Sequence, residues 1–245
     1  IPNFAIHKGL PIPGFDLEHN KPTDICPVAK MYPQANFMIY HSAINAGCGA
    51  GCGTGNEAKP FDPNNENPLG MSMLLKSLLD AGIITEDGPK KGLNVYAELG
   101  SAWSNVMRDT VAAQHFIGKL LKYVGPDNIC WGTDSILGGS PQNQIEMFRK
   151  FEISESFHEM FGYPAITKEI KAKIFGLNAA RIYKVDPTSM RCKVEKSSLA
   201  ARKVQLEGEL GGRRWTQMQP LAPRTKREFI EAARIAIKKG HPGIV

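Results

Sequence analysis

The sequence predicts an α/β fold of the (β/α)8-barrel type, of which these 245 residues carry about four βα units followed by a helical C-terminal extension. Three observations predict it. Short apolar runs repeatedly deliver a histidine or a carboxylate to a turn rich in Gly or Ser, which is how a barrel enzyme presents site residues at the C-terminal ends of its strands. These ends, at positions 7, 41, 98 and 134, are separated by 34, 57 and 36 residues, against roughly 31 for an average βα unit. Amphipathic helix candidates fall in the gaps.

The elements follow in order. Asn3 to His7 (NFAIH) reads as a strand stopped by Lys8-Gly9, and Thr23 or Asp24 can cap a helix over Ile25 to Met31. Asn36 to His41 is the second strand. The long interval after it contains residues 43–69, rich in Gly, Asn and Pro, which read as an inserted loop of about 25 residues. Without that loop the spacing is again one unit. Met71 to Asp80 (MSMLLKSLLD) is a helix stopped by Gly82, and Asn94 to Glu98 is a third strand. Thr110 to Val124 is a helix running into Gly125-Pro126, and Ile129 to Ser135 carries Asp134 at the end of a fourth strand. Pro141 to Phe151, with Ser140 as cap, and Lys168 to Tyr183, with Thr167 as cap, complete the series. The expected division is a barrel portion over 1–187 and a basic extension over 188–245.

Composition excludes several classes. With 42% hydrophobic residues the chain is ordinary globular material, and no apolar run approaches the ~20 residues of a membrane helix. Five cysteines without framework spacing point to a reducing compartment, so a cytoplasmic location is expected. The net charge of +6 is uneven: residues 186–245 hold 13 Lys and Arg against 6 Asp and Glu, whereas residues 1–185 hold 17 against 18. The basic segment includes a candidate helix over Lys226 to Lys239 with Phe229, Ile230, Ala233 and Ile237 on one stripe, which reads as a face docking on its own domain. A single Trp215 among these charges does not make a nucleic-acid surface, so neither nucleic acid nor membrane is expected as a partner.

Cys48 and Cys52 lack a second pair and sit among glycines, which favours a loop over a zinc knuckle, and the same segment lacks the Gly-Lys-Ser/Thr of a phosphate loop. His19, His115, His158 and His241 lie in polar or helical contexts and read as surface or packing residues.

The ordered set Ile6-His7-Lys8-Gly9, Tyr40-His41-Ser42, Tyr96-Ala97-Glu98-Leu99-Gly100, Trp131-Gly132-Thr133-Asp134-Ser135, Gly139-Ser140-Pro141-Gln142 and Gly176-Leu177-Asn178-Ala179-Ala180-Arg181-Ile182-Tyr183 resembles the carboxyl-terminal half of the amidohydrolase-related metal-dependent hydrolases. The resemblance spans about residues 1–187. It implies the last four βα units of a (β/α)8 barrel whose divalent metal, with zinc favoured, is held by a His-x-His pair after strand 1, a His after strand 5, in some members a His after strand 6, and an Asp after strand 8. It makes His7 the strand 5 ligand, His41 the strand 6 histidine acting as ligand or acid/base, and Asp134 the strand 8 ligand and general base. No His-x-His occurs in the chain. The chain is therefore expected to be a fragment, or one part of a split protein whose other part supplies strands 1 to 4, because four strands cut from a barrel leave two unpaired edges. A half-barrel homo-oligomer is the alternative.

Under this resemblance a metal-activated water attacks the amide, ester or lactone carbonyl of a small-molecule substrate, Asp134 accepts the proton, and His41 polarises the carbonyl or protonates the leaving group. Lys8 and Glu98 are candidate substrate-binding residues, with a functionless lysine and a carboxylate satisfied by backbone donors as the plainer readings. A metal-dependent decarboxylase acting on an aromatic or unsaturated acid is the alternative activity, and a metal-free binding module or inactive fragment the third reading.

Overall fold

A computed structural model describes residues 2–10, 14, 16, 18–45, 54–138, 140–189, 198–209 and 211. The elements in chain order are β1 (Asn3–His7), α1 (Ile25–Met31), β2 (Asn36–Tyr40), α2 (Met71–Asp80), β3 (Ile84–Thr85), β4 (Gly88–Pro89), β5 (Val95–Glu98), α3 (Ala102–Val106), α4 (Thr110–Lys119), β6 (Ile129–Cys130), α5 (Ser135–Gly138), α6 (Gln142–Lys150), α7 (Glu155–Phe161), α8 (Lys168–Ala172), α9 (Asn178–Tyr183) and α10 (Ser198–Glu209). They fall into two compact units: Ile1–Asp134 with Asn143–Ser189, and Ser135–Gln142 with Met190–Val245, the latter containing α5 and α10.

The first unit is built on a four-stranded sheet in the order β1-β2-β5-β6, parallel throughout. His7 lies opposite Tyr40, Ile39 opposite Ala97, and Glu98 opposite Cys130. Because the strands run parallel in chain order without a reversal, their C-terminal ends gather along one edge of the sheet. Consecutive barrel units have this order, whereas a doubly wound sheet reverses at a switch point. The fold is thus mixed α/β with a parallel sheet, compatible with part of a barrel.

Alternation along the strands sets two faces. Phe37, Ile39, Val95, Ala97 and Ile129 belong to the main core together with Ile25, Leu74, Leu78 and Phe116 of α1, α2 and α4. Met38, Tyr96 and Cys130 form a smaller cluster with Ile182 of α9. Covering both faces is why these strands read as nearly continuous apolar runs. The outer strand β1 is less well covered, and Phe4 is 48% exposed.

The structure departs from the sequence expectation locally in three places. The helices predicted over 110–124 and 168–183 each pass into a π turn, at Leu120–Val124 and Lys173–Leu177. In the second of these the Ile174 carbonyl accepts a hydrogen bond from Trp131 N–H at 3.0 Å, and β6 spans only Ile129–Cys130, short of Asp134. Asp24 occupies the N-cap of α1 without capping it, because its carboxylate is paired with Lys8. Thr167 does cap α8, accepting the Ile170 N–H at 3.3 Å.

The inserted loop is anchored by a polar contact: Glu57 within it is fully buried and pairs with Lys119 at the end of α4. Cys48, Cys52, Trp215, the helix expected over 226–239 and His241 lie outside the described residues. Among the described residues no helix is long and apolar enough to cross a membrane.

Candidate active site

Four strand ends meet at one edge, and the sequence dictates what each presents. β1 ends on His7, whose Nδ1 lies 3.3 Å from Asn20 Oδ1. The Asn20 side-chain amide in turn donates to the Gly9 carbonyl, and Gly9 N–H donates to the Asn20 carbonyl at 2.8 Å, so the turn after β1 is tied to Asn20 by two bonds at Gly9. Burial, and then the neighbouring His41, lower the His7 pKa below the usual imidazole range. The two imidazoles pack edge to face with centroids 4.7 Å apart.

Past β2 the backbone does something uncommon. His41, Ser42 and Ala43 take φ of 58°, 50° and 56°, three consecutive non-glycine residues in the left-handed region. Such residues cost about 1–2 kcal/mol each relative to right-handed backbone, and they persist only where surrounding contacts hold them. Those contacts are present. His41 N–H donates to Glu98 Oε2 at 3.1 Å, the Ser42 hydroxyl donates to the Glu98 backbone carbonyl at 2.8 Å, and Ile44 N–H closes the turn on the His41 carbonyl at 2.9 Å. Gly9 presses against the Ala43 backbone so closely that a Cβ there would overlap it.

The His41 ring is buried, and its Nδ1 lies 2.6 Å from the Gly100 carbonyl and 3.2 Å from Asp134 Oδ2. A carbonyl can only accept, so Nδ1 carries the hydrogen and a neutral ring keeps its lone pair on Nε2. Asp134 also sits at positive φ, 49°, and its Oδ2 accepts the Ser101 hydroxyl at 2.7 Å. The Asp134 side chain is 37% exposed, the open member of the pair.

Glu98 and Lys8 are placed differently. Glu98 is buried, its Oε1 accepting Gly100 N–H at 2.7 Å and its Oε2 accepting His41 N–H; burial raises its pKa above the usual carboxylate range, against the pull of those donors. Lys8 is also buried, its ammonium 2.6 Å from Asp24 Oδ2 and 2.7 Å from the His19 carbonyl. Both groups proposed to hold substrate are thus engaged within the chain.

The structure brings His7, His41, Glu98 and Asp134 together, and adds Ser101, the Gly100 carbonyl and Asn20. Of these, Asn20 and Ser101 carried no motif, whereas Gly100 closes the run Tyr96-Ala97-Glu98-Leu99-Gly100 and Ser101 follows it directly. The metal implied by the resemblance is a separate matter. Among the described residues no three His, Cys, Asp or Glu are grouped to hold a metal ion, and His41 Nδ1 faces the Asp134 carboxylate as a hydrogen-bond partner. The described residues therefore do not fit a complete metal centre.

A family model described as amidohydrolase matches residues 90–185, an interval that includes Glu98, Gly100, Ser101 and Asp134 and leaves His7 and His41 outside it. No curated protein and no solved structure matches the chain.

Proposed function

We propose, from the match of residues 90–185 to the amidohydrolase family model, that the strand-end cluster is the acid/base part of a hydrolase site acting on an amide, ester or lactone. One observation carries the reading: the buried His41 ring, fixed through Nδ1 by the Gly100 carbonyl, lies 3.2 Å from a partly exposed Asp134 that Ser101 orients.

The geometry supports this sequence of steps. The Nε2 lone pair of His41 takes a proton from water as the water oxygen bonds to the substrate carbonyl carbon. The imidazolium that forms is stabilised by the adjacent Asp134 carboxylate. The same proton then passes from Nε2 to the leaving nitrogen or oxygen as its bond to carbon breaks. Positioned acid/base groups of this kind contribute roughly 10²–10⁴-fold in rate.

Metal dependence, with zinc as the favoured ion, rests on the resemblance alone and would require ligands beyond the described residues. Cytoplasmic action rests on the cysteine usage.

The test is turnover of a panel of aryl esters, lactones, anilides and free aromatic acids in ¹⁸O-labelled water by the chain and by its His41→Ala variant. Incorporation of the label into the acid product, lost in the variant, supports the hydrolase. Unchanged hydrolysis in the variant removes His41 from the chemistry, and release of carbon dioxide from an aromatic acid without label uptake would instead indicate a lyase.

A further inference from the structure

Glu98 has a residue type that suggests substrate contact and surroundings that point elsewhere. Each of its carboxylate oxygens accepts a backbone N–H, Oε1 from Gly100 at 2.7 Å and Oε2 from His41 at 3.1 Å. Those two donors belong to the two segments that define the His41 ring: His41 itself, and Gly100, whose carbonyl lies 2.6 Å from His41 Nδ1. A third segment closes in from β6, since a Cβ on Gly132 would overlap Glu98 Oε1. The carboxylate therefore ties the chain beyond β2 to the chain beyond β5, with Gly132, two residues before Asp134, packed against it. It does so where left-handed backbone at His41, Ser42 and Ala43 demands an external hold.

We propose that Glu98 is a positioning residue: through Gly100 and the His41 N–H it fixes the place of the His41 ring and keeps its hydrogen on Nδ1, and it does not bind substrate. The proposal rests on the reading of His41 as the base, for which Nε2 must hold the lone pair. Without this clamp the Gly100 carbonyl is no longer held opposite Nδ1, and the ring is released to its other tautomer.

The test reads the ring directly, by long-range ¹H–¹⁵N correlation spectroscopy of the imidazoles in the full chain at about pH 8, above the ordinary imidazole pKa. In the unmodified protein His41 is expected in a single neutral tautomer with the hydrogen on Nδ1; an Nε2–H tautomer there overturns the proposal before any variant is made. Glu98→Gln presents an amide N–H to one of the two backbone N–H groups, so one contact is lost and His41 is expected to show a mixture of tautomers. The His115 ring, bonded to Tyr163 OH at 3.0 Å in another part of the core, is the internal control and should be unchanged.

A retained Nδ1–H signal in Glu98→Gln, with native His115 signals, overturns the proposal. If Glu98→Gln fails to fold, Gly132→Ala displaces the carboxylate while leaving Glu98 in place, and the same pair of outcomes applies. Because no substrate enters this measurement, it fails or succeeds apart from the hydrolase assay.

Discussion

Lys119 Nζ lies 3.3 Å from Glu57 Oε2 with both side chains fully buried, joining the end of α4 to a loop that sequence patterning marks only as an insertion. Glu57 Oε1 also accepts the Met71 N–H at 3.1 Å, at the start of α2. The loop is thereby anchored to the helical layer behind the sheet. Burial draws the Lys119 ammonium below the usual lysine range, against the pull of Glu57.

Removing one member of such a pair leaves a buried charge without its partner, which costs about 3–5 kcal/mol. Lys119→Met is expected to lower unfolding stability by that order in denaturant titrations. Pairing it with Glu57→Gln should recover part of the loss, because the second change removes the unpaired charge. A Lys119→Met chain as stable as the parent would show that the pair contributes nothing.

Acid should act on the fold through His115. Its ring is buried among Phe157, Phe161 and Tyr163, and burial first, then the charge on Lys119, lower its pKa from 6.5 to about 4. The unfolded chain therefore binds a proton near pH 6.5 that the folded chain refuses until about pH 4. The contribution is complete above the unfolded pKa and is lost as pH falls through this window, on the order of 3 kcal/mol in all. His115→Phe keeps the ring and removes the titration. Stability measured from neutral to mildly acid pH should fall less steeply in the variant, and parallel curves would exclude His115 as the cause.

Gly9 tests whether the left-handed run is held by close packing. Its own φ is +70°, and a Cβ would overlap the Ala43 backbone. Gly9→Ala must shift residues 41–43 or the turn after β1, at about 1–3 kcal/mol of strain. The expected outcome is a lower melting temperature together with lost hydrolysis, since His41 moves with the run. Unchanged melting and activity would mean that the contact is readily relieved.

How much of this was legible differs from element to element. The strands Asn3–His7 and Asn36–Tyr40 and the helices Ile25–Met31 and Met71–Asp80 follow from local pattern, because apolar periodicity and breakers such as Gly9 and Gly82 act over a few residues. The candidate ring of His7, His41, Glu98 and Asp134 was legible because parallel strands in chain order must end at one edge. What local pattern does not encode is who faces whom. The Lys119–Glu57 pair spans 62 positions, and the clamp from Glu98 to His41 spans 57. The bond from Trp131 N–H to the Ile174 carbonyl, in the π turn over Lys173–Leu177, likewise joins segments far apart in the chain. Lys8 shows the reverse case, a polar residue beside a site whose partner, Asp24, is read from sequence as a helix cap.

Metal content tests the incomplete centre. Dialysed against micromolar zinc and then metal-free buffer, the chain is expected to retain well below one equivalent by elemental analysis, because its described residues group no three ligands. Retention near one equivalent, abolished by His7→Ala or Asp134→Asn, would show that the chain completes a site by itself with His7 or Asp134 as a ligand.

Asp134→Asn separates charge from shape at the pair with His41. The amide is nearly isosteric, its oxygen can still accept the Ser101 hydroxyl, and the side chain is 37% exposed, so the melting temperature should change little. What disappears is the negative charge 3.2 Å from His41 Nδ1, which stabilises the imidazolium formed when Nε2 takes a proton. Hydrolysis is therefore expected to fall by roughly 10²–10⁴-fold, with the loss in kcat because the charge matters only once the ring is protonated. A variant that hydrolyses at the parent rate would remove Asp134 from the mechanism, and one that only raises KM would recast it as a substrate-binding group.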